Sequence, residues 1–294
     1  MTALSQNNPL RYGMAQWQHS AWVNWLYSST VPNAERLREY SKVFQSVEVG
    51  STFYTEVEEK QLRRWYDQVD DAFRFCFKAP QLVTHRIAER PEEERNADWQ
   101  RFQAKLSSLD GKLGPTMLQF PSHLDESLLP AILSLIETWE LSSPLSVEVR
   151  HLNYFDKGVI ESELLRSLSS QKVNKVIMDS RPVFSTDAYN ETLQDAQRKK
   201  PRVPCHVVAT AQNPVVRFIG HPDLALNHVW LDQWAEKIKS WLEGGLKPTV
   251  FVHSSDNIAA PTLASWLDDK LVGNGALSSK MVNLPETQEQ IALW

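Results

Sequence analysis

The amino-acid sequence predicts a single (β/α)8 barrel, and three observations lead there. Eight short runs rich in β-branched and aromatic residues alternate with segments of helical periodicity along nearly the whole chain. The 294 residues suffice for two ordinary domains or one large α/β barrel, and neither a composition break nor an internal repeat divides them. The competing open doubly wound sheet usually carries a phosphate loop near its first strand. Neither GxGxxG nor GxxxxGK[ST] occurs among the 10 glycines.

The strands are expected at 10–17, 46–54, 73–80, 115–121, 145–151, 175–180, 214–220 and 248–254, each bounded by Gly, Pro, Ser, Asp or His. Between them, 3.6-residue periodicity predicts helices over 35–44, 59–69, 99–109, 128–139, 163–168, 231–242 and 262–271. The sixth crossover, 181–213, holds several prolines and the run Gln197-Arg198-Lys199-Lys200, so it reads as a long loop with one helix over 191–199. Strict alternation implies parallel strands with right-handed crossovers, and eight such units close a barrel over 10–271. Residues 272–294 form a tail whose end, Gln290-Ile291-Ala292-Leu293-Trp294, either docks on the barrel wall or frays.

Composition narrows the function. A net charge of −5 and a pI near 5.9 give no field favouring a polyanion or an acidic membrane surface. No run reaches the roughly 18 apolar residues of a span, and the polar start from Met1 to Asn8 has no signal-peptide core, so a cytoplasmic location is expected. The two cysteines, Cys76 and Cys205, fit neither a disulfide framework nor a zinc quartet, and Cys76 reads as a packing residue. The dense basic patch Arg198, Lys199, Lys200 and Arg202 lacks interleaved aromatics and reads as a solvated loop, which disfavours nucleic acid as a partner and leaves a small molecule.

Strand parity points to a site. Val47 and Val49 oppose Glu48 and Gly50; Phe73, Phe75 and Phe77 oppose Arg74, Cys76 and Lys78; Val147 and Val149 oppose Glu148 and Arg150; Arg217 lies between Val216 and Phe218. One face must meet the apolar helix layer, so the charged face points into the lumen. Glu48, Lys78, Glu148, Arg150, Asp179 and Arg217 are then expected inside, nearly all at carboxyl ends of strands, where barrel enzymes build their sites. Any one of these charges can be a structural brace; six together at one mouth favour a polar pocket.

The same residues resemble a known family. Glu48-Val49-Gly50-Ser51-Thr52-Phe53-Tyr54 is similar to the signature of the YecE-like family, and Lys78-Ala79-Pro80, Thr84-His85, Leu118-Gln119-Phe120-Pro121 and Glu148-Val149-Arg150-His151 with Phe155 follow in order. Gly13, Trp17, Trp22, Tyr27, Pro32, Asp179 and Arg217 extend the match over about Arg11 to Leu267. The resemblance implies a TIM-like barrel and brings no established reaction. The chain departs from the pattern at His253-Ser254-Ser255-Asp256-Asn257, where relatives often carry asparagines, and at Ile219, where they often carry a polar residue.

Three chemistries fit such a mouth. Glycoside hydrolysis needs two carboxyl groups about 5 to 10 Å apart; Glu48 and Glu148 offer them, but the ends of strands four and seven carry Gln119 and Arg217 instead of acids. A metal-dependent phosphodiesterase or isomerase, in the manner of endonuclease IV-like barrels, would draw on Glu48, Glu148, Asp179, His85, His151 and His253. Three inward acids facing Lys78, Arg150 and Arg217 leave no negative well for a cation, no HxxxH or HxH occurs, and no metal or cofactor is assigned. The balance best suits acid–base chemistry on a small anionic or sugar-like substrate: Glu48, Lys78, Glu148 and Asp179 as catalytic groups, Arg150 and Arg217 gripping the anion, and Trp17, Tyr54, His85, Gln119, His253 and Asn257 lining the pocket. Ser254, Ser255 and Asn257 are a further candidate phosphate loop, opposed by Asp256. A non-catalytic ligand-binding or interaction barrel is the remaining class.

Overall fold

A computed structural model of the chain describes residues 8–285. Eight strands, β1 (Arg11–Met14), β2 (Ser46–Val49), β3 (Arg74–Phe77), β4 (Thr116–Gln119), β5 (Leu145–Glu148), β6 (Asn174–Asp179), β7 (Val215–Gly220) and β8 (Thr249–Ser254), pair in parallel in the order β3-β2-β1-β8-β7-β6-β5-β4. Short bridges, Phe75 with Leu113 and Lys78 with Met117, join β3 to β4. Across that seam Gly114 N–H donates to Phe75 O at 2.8 Å and Ala79 N–H to Met117 O at 3.0 Å, so the cylinder closes. All eight expected strands are present. Several are shorter at their carboxyl ends, because the chain leaves the sheet early: after Val49 it turns into a 3-10 segment, Gly50–Phe53, pinned by the Thr52 hydroxyl donating to Val49 O and Lys78 O.

The helices are α1 (Arg36–Ser41), α2 (Glu59–Tyr66), α3 (Glu92–Leu106), α4 (Leu129–Glu137), α5 (Val159–Ser170), α6 (Glu191–Lys199), α7 (His228–Glu243) and α8 (Ala260–Gly273). α3 begins seven residues before the expected 99 because its first turns are polar and, Arg95 apart, carry nothing buried that would mark them as helix in the sequence. Pro91 followed by Glu92, Glu93 and Glu94 starts it instead, the acids favouring the positive end of the helix dipole. α6 matches its expected bounds, with Asn190 accepting from Leu193 N–H at 2.8 Å as the cap.

α6 is displaced from the usual outer ring. Its Leu193 and Ala196 pack on Met178 and Ile219, lumen-facing residues near the tops of β6 and β7, so the helix roofs one side of the mouth. The chain then returns in extended form: Ser180 Oγ donates to Pro201 O, and further along Lys175 N–H donates to Thr210 Oγ1 while that hydroxyl donates to Val173 O. Pro201 and Pro204 exclude a helix from this arm. After α8, Leu277 and Val282 rejoin the main core, and Asp268 accepts N–H bonds from Met281 and Val282. The end of the expected tail, Gln290 to Trp294, lies outside the described residues. Among the described residues no helix is long and apolar enough to cross a membrane.

The lumen is layered. Cys76, Met117, Val176, Val215 and Phe251 form an apolar plug, while Val47, Val49, Phe75, Phe77, Val147, Val149, Val216 and Phe218 face the helices. The Cys76 thiol is wholly buried in that plug, and desolvation pushes its pKa well up, so it is a packing residue. Gly13 makes room for the plug: a Cβ there would lie 2.6 Å from Ser46 O and 2.8 Å from the Phe251 ring. Because the nearer obstacle is backbone, it cannot swing aside. Gly13→Ala is expected to cost about 1–3 kcal/mol, read as a lowered urea midpoint with unchanged slope.

Candidate functional site

Two residues further along the strands, the lumen changes from apolar to ionic. Cys76 gives way to Lys78, Met117 to Gln119, Val215 to Arg217 and Phe251 to His253, joined by Glu48 and Glu148. Arg217 is the hub. Its Nε and one terminal nitrogen donate to the two oxygens of Glu48 at 2.6 and 3.1 Å, and its other nitrogen donates to Glu148 Oε2 at 2.7 Å. Arg150 donates to Glu148 Oε1 at 2.7 Å. Lys78 Nζ lies 3.6 Å from Glu48 Oε2, and His253 Nε2 lies 3.4 Å from Glu48 Oε1. The two glutamates are 1% exposed, whereas the Lys78 and Arg150 side chains keep 16% and 19%.

This geometry sets the protonation states. Burial raises the glutamate pKa values, but the surrounding cations, Arg217 foremost, outweigh it: Glu148 is held down at about 2 and Glu48 well below its ordinary 4.5. The reciprocal field keeps Arg217 charged. Burial and then Arg217 lower Lys78. His253 and His85 are each lowered to about 4, chiefly by burial, so both are neutral near pH 7. The pairing with Arg217 holds both glutamates in the ionised form near pH 7, a state poorly suited to the proton-carrier role expected from the sequence; a carboxyl near 2 is also a poor general acid for glycoside cleavage.

A residue that sequence reasoning left in solvent joins them. Lys200, the first residue after α6, sits where burial and then Arg217 lower its pKa, and it feels Glu48, Lys78 and Arg150 as well. The signal for it was Pro201, which turns the chain extended at that point. With Lys200 included, four cations (Lys78, Arg150, Lys200 and Arg217) face two carboxylates, an excess of two positive charges.

The remaining expectations divide. His85 stands near this cluster, within the fields of Arg150, Glu148 and Lys78, with Thr84 Oγ1 at 3.2 Å and the Phe53 ring edge-on at 4.6 Å. Gln119 ends β4 with its buried Oε1 unpartnered. Asp179 does not enter the lumen. Val176 and Met178 take the inward positions of β6, which sends Asp179 outward, where Trp234 Nε1 of α7 donates to it at 2.8 Å and Arg181 pairs with it. Trp17 packs edge-on against Trp65 of α2 at 5.2 Å, and Tyr54, 74% exposed, stands against Phe53. In the loop after β8, Ser254 Oγ and Ile258 N–H both donate to Asp256, so the candidate phosphate loop is occupied by its own carboxylate; Asn257 adopts a left-handed backbone, φ 66°, with its buried Oδ1 unpartnered. Among the described residues no three His, Cys, Asp or Glu side chains gather as a ligand set for a metal.

The chain matches known proteins over most of its length. The family model described as "Protein of unknown function DUF72" matches residues 11–289. The chain belongs to the DUF72 family. It is 36% identical over 259 residues to the UPF0759 protein YecE of Escherichia coli K12, covering 88% of this chain and 91% of that one. UPF0759 protein YunF of Bacillus subtilis is 24% identical over 143 residues, 47% of this chain and 51% of that one. Two DUF72 crystal structures are similar in fold: one from Thermotoga maritima (TM-score 0.65, 18% identity, 90% of this chain and 99% of that one) and one from Enterococcus faecalis (TM-score 0.64, 16% identity, 94% and 98%). The expected family and the expected barrel are thus both found.

The ionic hub yields two measurable consequences. Arg217→Met removes the shared partner of two buried carboxylates, leaving Glu148 to Arg150 and Glu48 to the longer Lys78 and His253 contacts, and is expected to cost about 3–5 kcal/mol; adding Glu48→Gln and Glu148→Gln should recover much of that, read by urea denaturation. The pH dependence of stability should show two limbs. His253 has its ordinary 6.5 lowered to about 4, so the unfolded chain takes the proton first and stability falls as pH drops from about 6.5 to 4. Glu148, lowered from 4.5 to about 2, contributes stability that is complete above about 4.5 and lost as pH falls towards 2. His253→Asn should reduce the upper limb, which His85 shares, and Glu148→Gln the lower, which Glu48 shares.

Proposed function

We propose that this protein is an enzyme acting on a small anionic carbonyl compound at the barrel mouth, with Lys78 moving the proton. The observation that carries the reading is the charge balance: even with Lys78 in its neutral, proton-accepting form, Arg150, Lys200 and Arg217 outnumber the two carboxylates by one, which favours an anionic guest such as a phosphate ester or a carboxylate. Arg150 and Lys200 are its grips, since Arg217 is fully engaged with the glutamates. Lys78 is the group suited to acid–base work: it is partly accessible, only loosely paired, and its amine is shifted towards the neutral form. It would take the proton from the carbon beside the carbonyl, and the negative charge that develops on the carbonyl oxygen would be met by the same cations. His85, neutral and beside the cluster, is placed to orient a substrate oxygen.

The test is proton exchange in D2O, followed by NMR over a panel of 2-oxo acids and sugar phosphates. Deuterium should enter the carbon beside the carbonyl of at least one compound, and Lys78→Ala should slow that by about 100-fold or more while the fold persists. Lys200→Ala and Arg150→Gln should each weaken binding of inorganic phosphate by about tenfold, an effect that fades with added salt. Saturable phosphate binding without exchange on any member of the panel would overturn the catalytic reading in favour of a ligand-binding barrel.

A further inference from the structure

A cavity lies outside the ionic mouth, on the flank between the turn after β2, the turn after β3 and α3. It measures about 320 Å³, within the range of small-molecule sites, and its apolar wall is made by Phe53, Val57, Leu82 and Phe102. Phe53 and Phe102 are buried, while Tyr54 and Leu82 stand exposed at its entrance. Phe53 separates it from the mouth, its ring against His85 on the other side.

The entrance is charged, and unevenly. Lys105 pairs with Glu56 at 2.6 Å, and Arg101 pairs with Asp98 at 2.8 Å; Arg90 also pairs with Asp98. Arg86 lines the same entrance, and among the described residues its guanidinium has neither an ion-pair nor a hydrogen-bond partner. An apolar chamber with an exposed aromatic at its lip and one uncommitted guanidinium is complementary to a flat apolar body bearing a single negative charge. A neutral ligand would leave the guanidinium unused, and a polyanion would find no second free cation, since Lys105 and Arg101 are already paired with Glu56 and Asp98.

We propose that this cavity binds a small aromatic carboxylate, its ring against Phe53 and Phe102 under the Tyr54 side chain and its carboxylate on Arg86. The ring gains by leaving water for an aromatic wall, and the planar guanidinium matches the carboxylate in two-point fashion. The inference is independent of the chemistry at the mouth.

The experiment is a 19F NMR titration of the full chain with 4-fluorobenzoate, with neutral 4-fluorobenzamide as the comparison. The benzoate should bind saturably and more tightly than the amide. Arg86→Gln should weaken it about tenfold or more, Val57→Trp should abolish binding by filling the chamber, and Lys78→Ala should leave it unchanged. Absence of saturable binding, equal affinity for the amide, or binding lost in Lys78→Ala and kept in Arg86→Gln would overturn the proposal, the last by assigning the carboxylate to the mouth.

Discussion

One guanidinium organises this molecule. Arg217 rises from β7 into the lumen and is clasped by glutamates from β2 and β5, strands that neither adjoin it nor each other in the sheet. A charge this buried is tolerable only when its donors are met, and the two carboxylates are tolerable only because it is there. The three strand ends are thereby tied across the cylinder. Such a tie makes a rigid platform, and rigidity is what a site needs if groups at its edge are to be held in fixed relation to a guest.

The platform also divides labour between depth and rim. Glu48, Glu148 and Arg217 are sealed and mutually satisfied, while Lys78, Arg150 and Lys200 occupy the boundary between that sealed layer and the loops. Desolvation acts on the two groups in opposite ways. Among the inner three, attraction overwhelms it and every member stays charged; for the lysines nothing compensates fully, and their ammonium forms are weakened. A single low-dielectric environment thus yields both permanent charges and a titratable amine.

Much of this was legible in the residues, for physical reasons that also explain the failures. Parity separated lumen from helix layer in β2, β3, β5 and β7 because each alternates charged or small residues with large apolar ones. It gives no guidance in β6, where Val176, Ile177 and Met178 are all apolar, and the lumen position expected for Asp179 is the wrong face. Periodicity starts α3 late because its first turns are polar, with only Arg95 buried among them, and carry no apolar period. Lys200 was invisible for a different reason: its neighbours in sequence are solvated lysines and arginines, and only the placement of α6 over the mouth turns this one member inward. Local pattern reports which face of an element is buried; it carries no information on where an irregular crossover lays its helix.

That crossover has a consequence for how the molecule responds to occupancy. α6 and the extended arm behind it are one uninterrupted length of chain, anchored at its far end where Thr210 bridges Val173 and Lys175 at the foot of β6. Where other crossovers lay a helix along the flank, the outer side of β6 has this thin cover beside α5. On the proposed reading, a guest that engages Lys200 would hold one end of a cord whose other end sheathes the wall, so binding should tighten the barrel's flank, and fraying the flank should loosen the roof. Roof and wall are one length of chain.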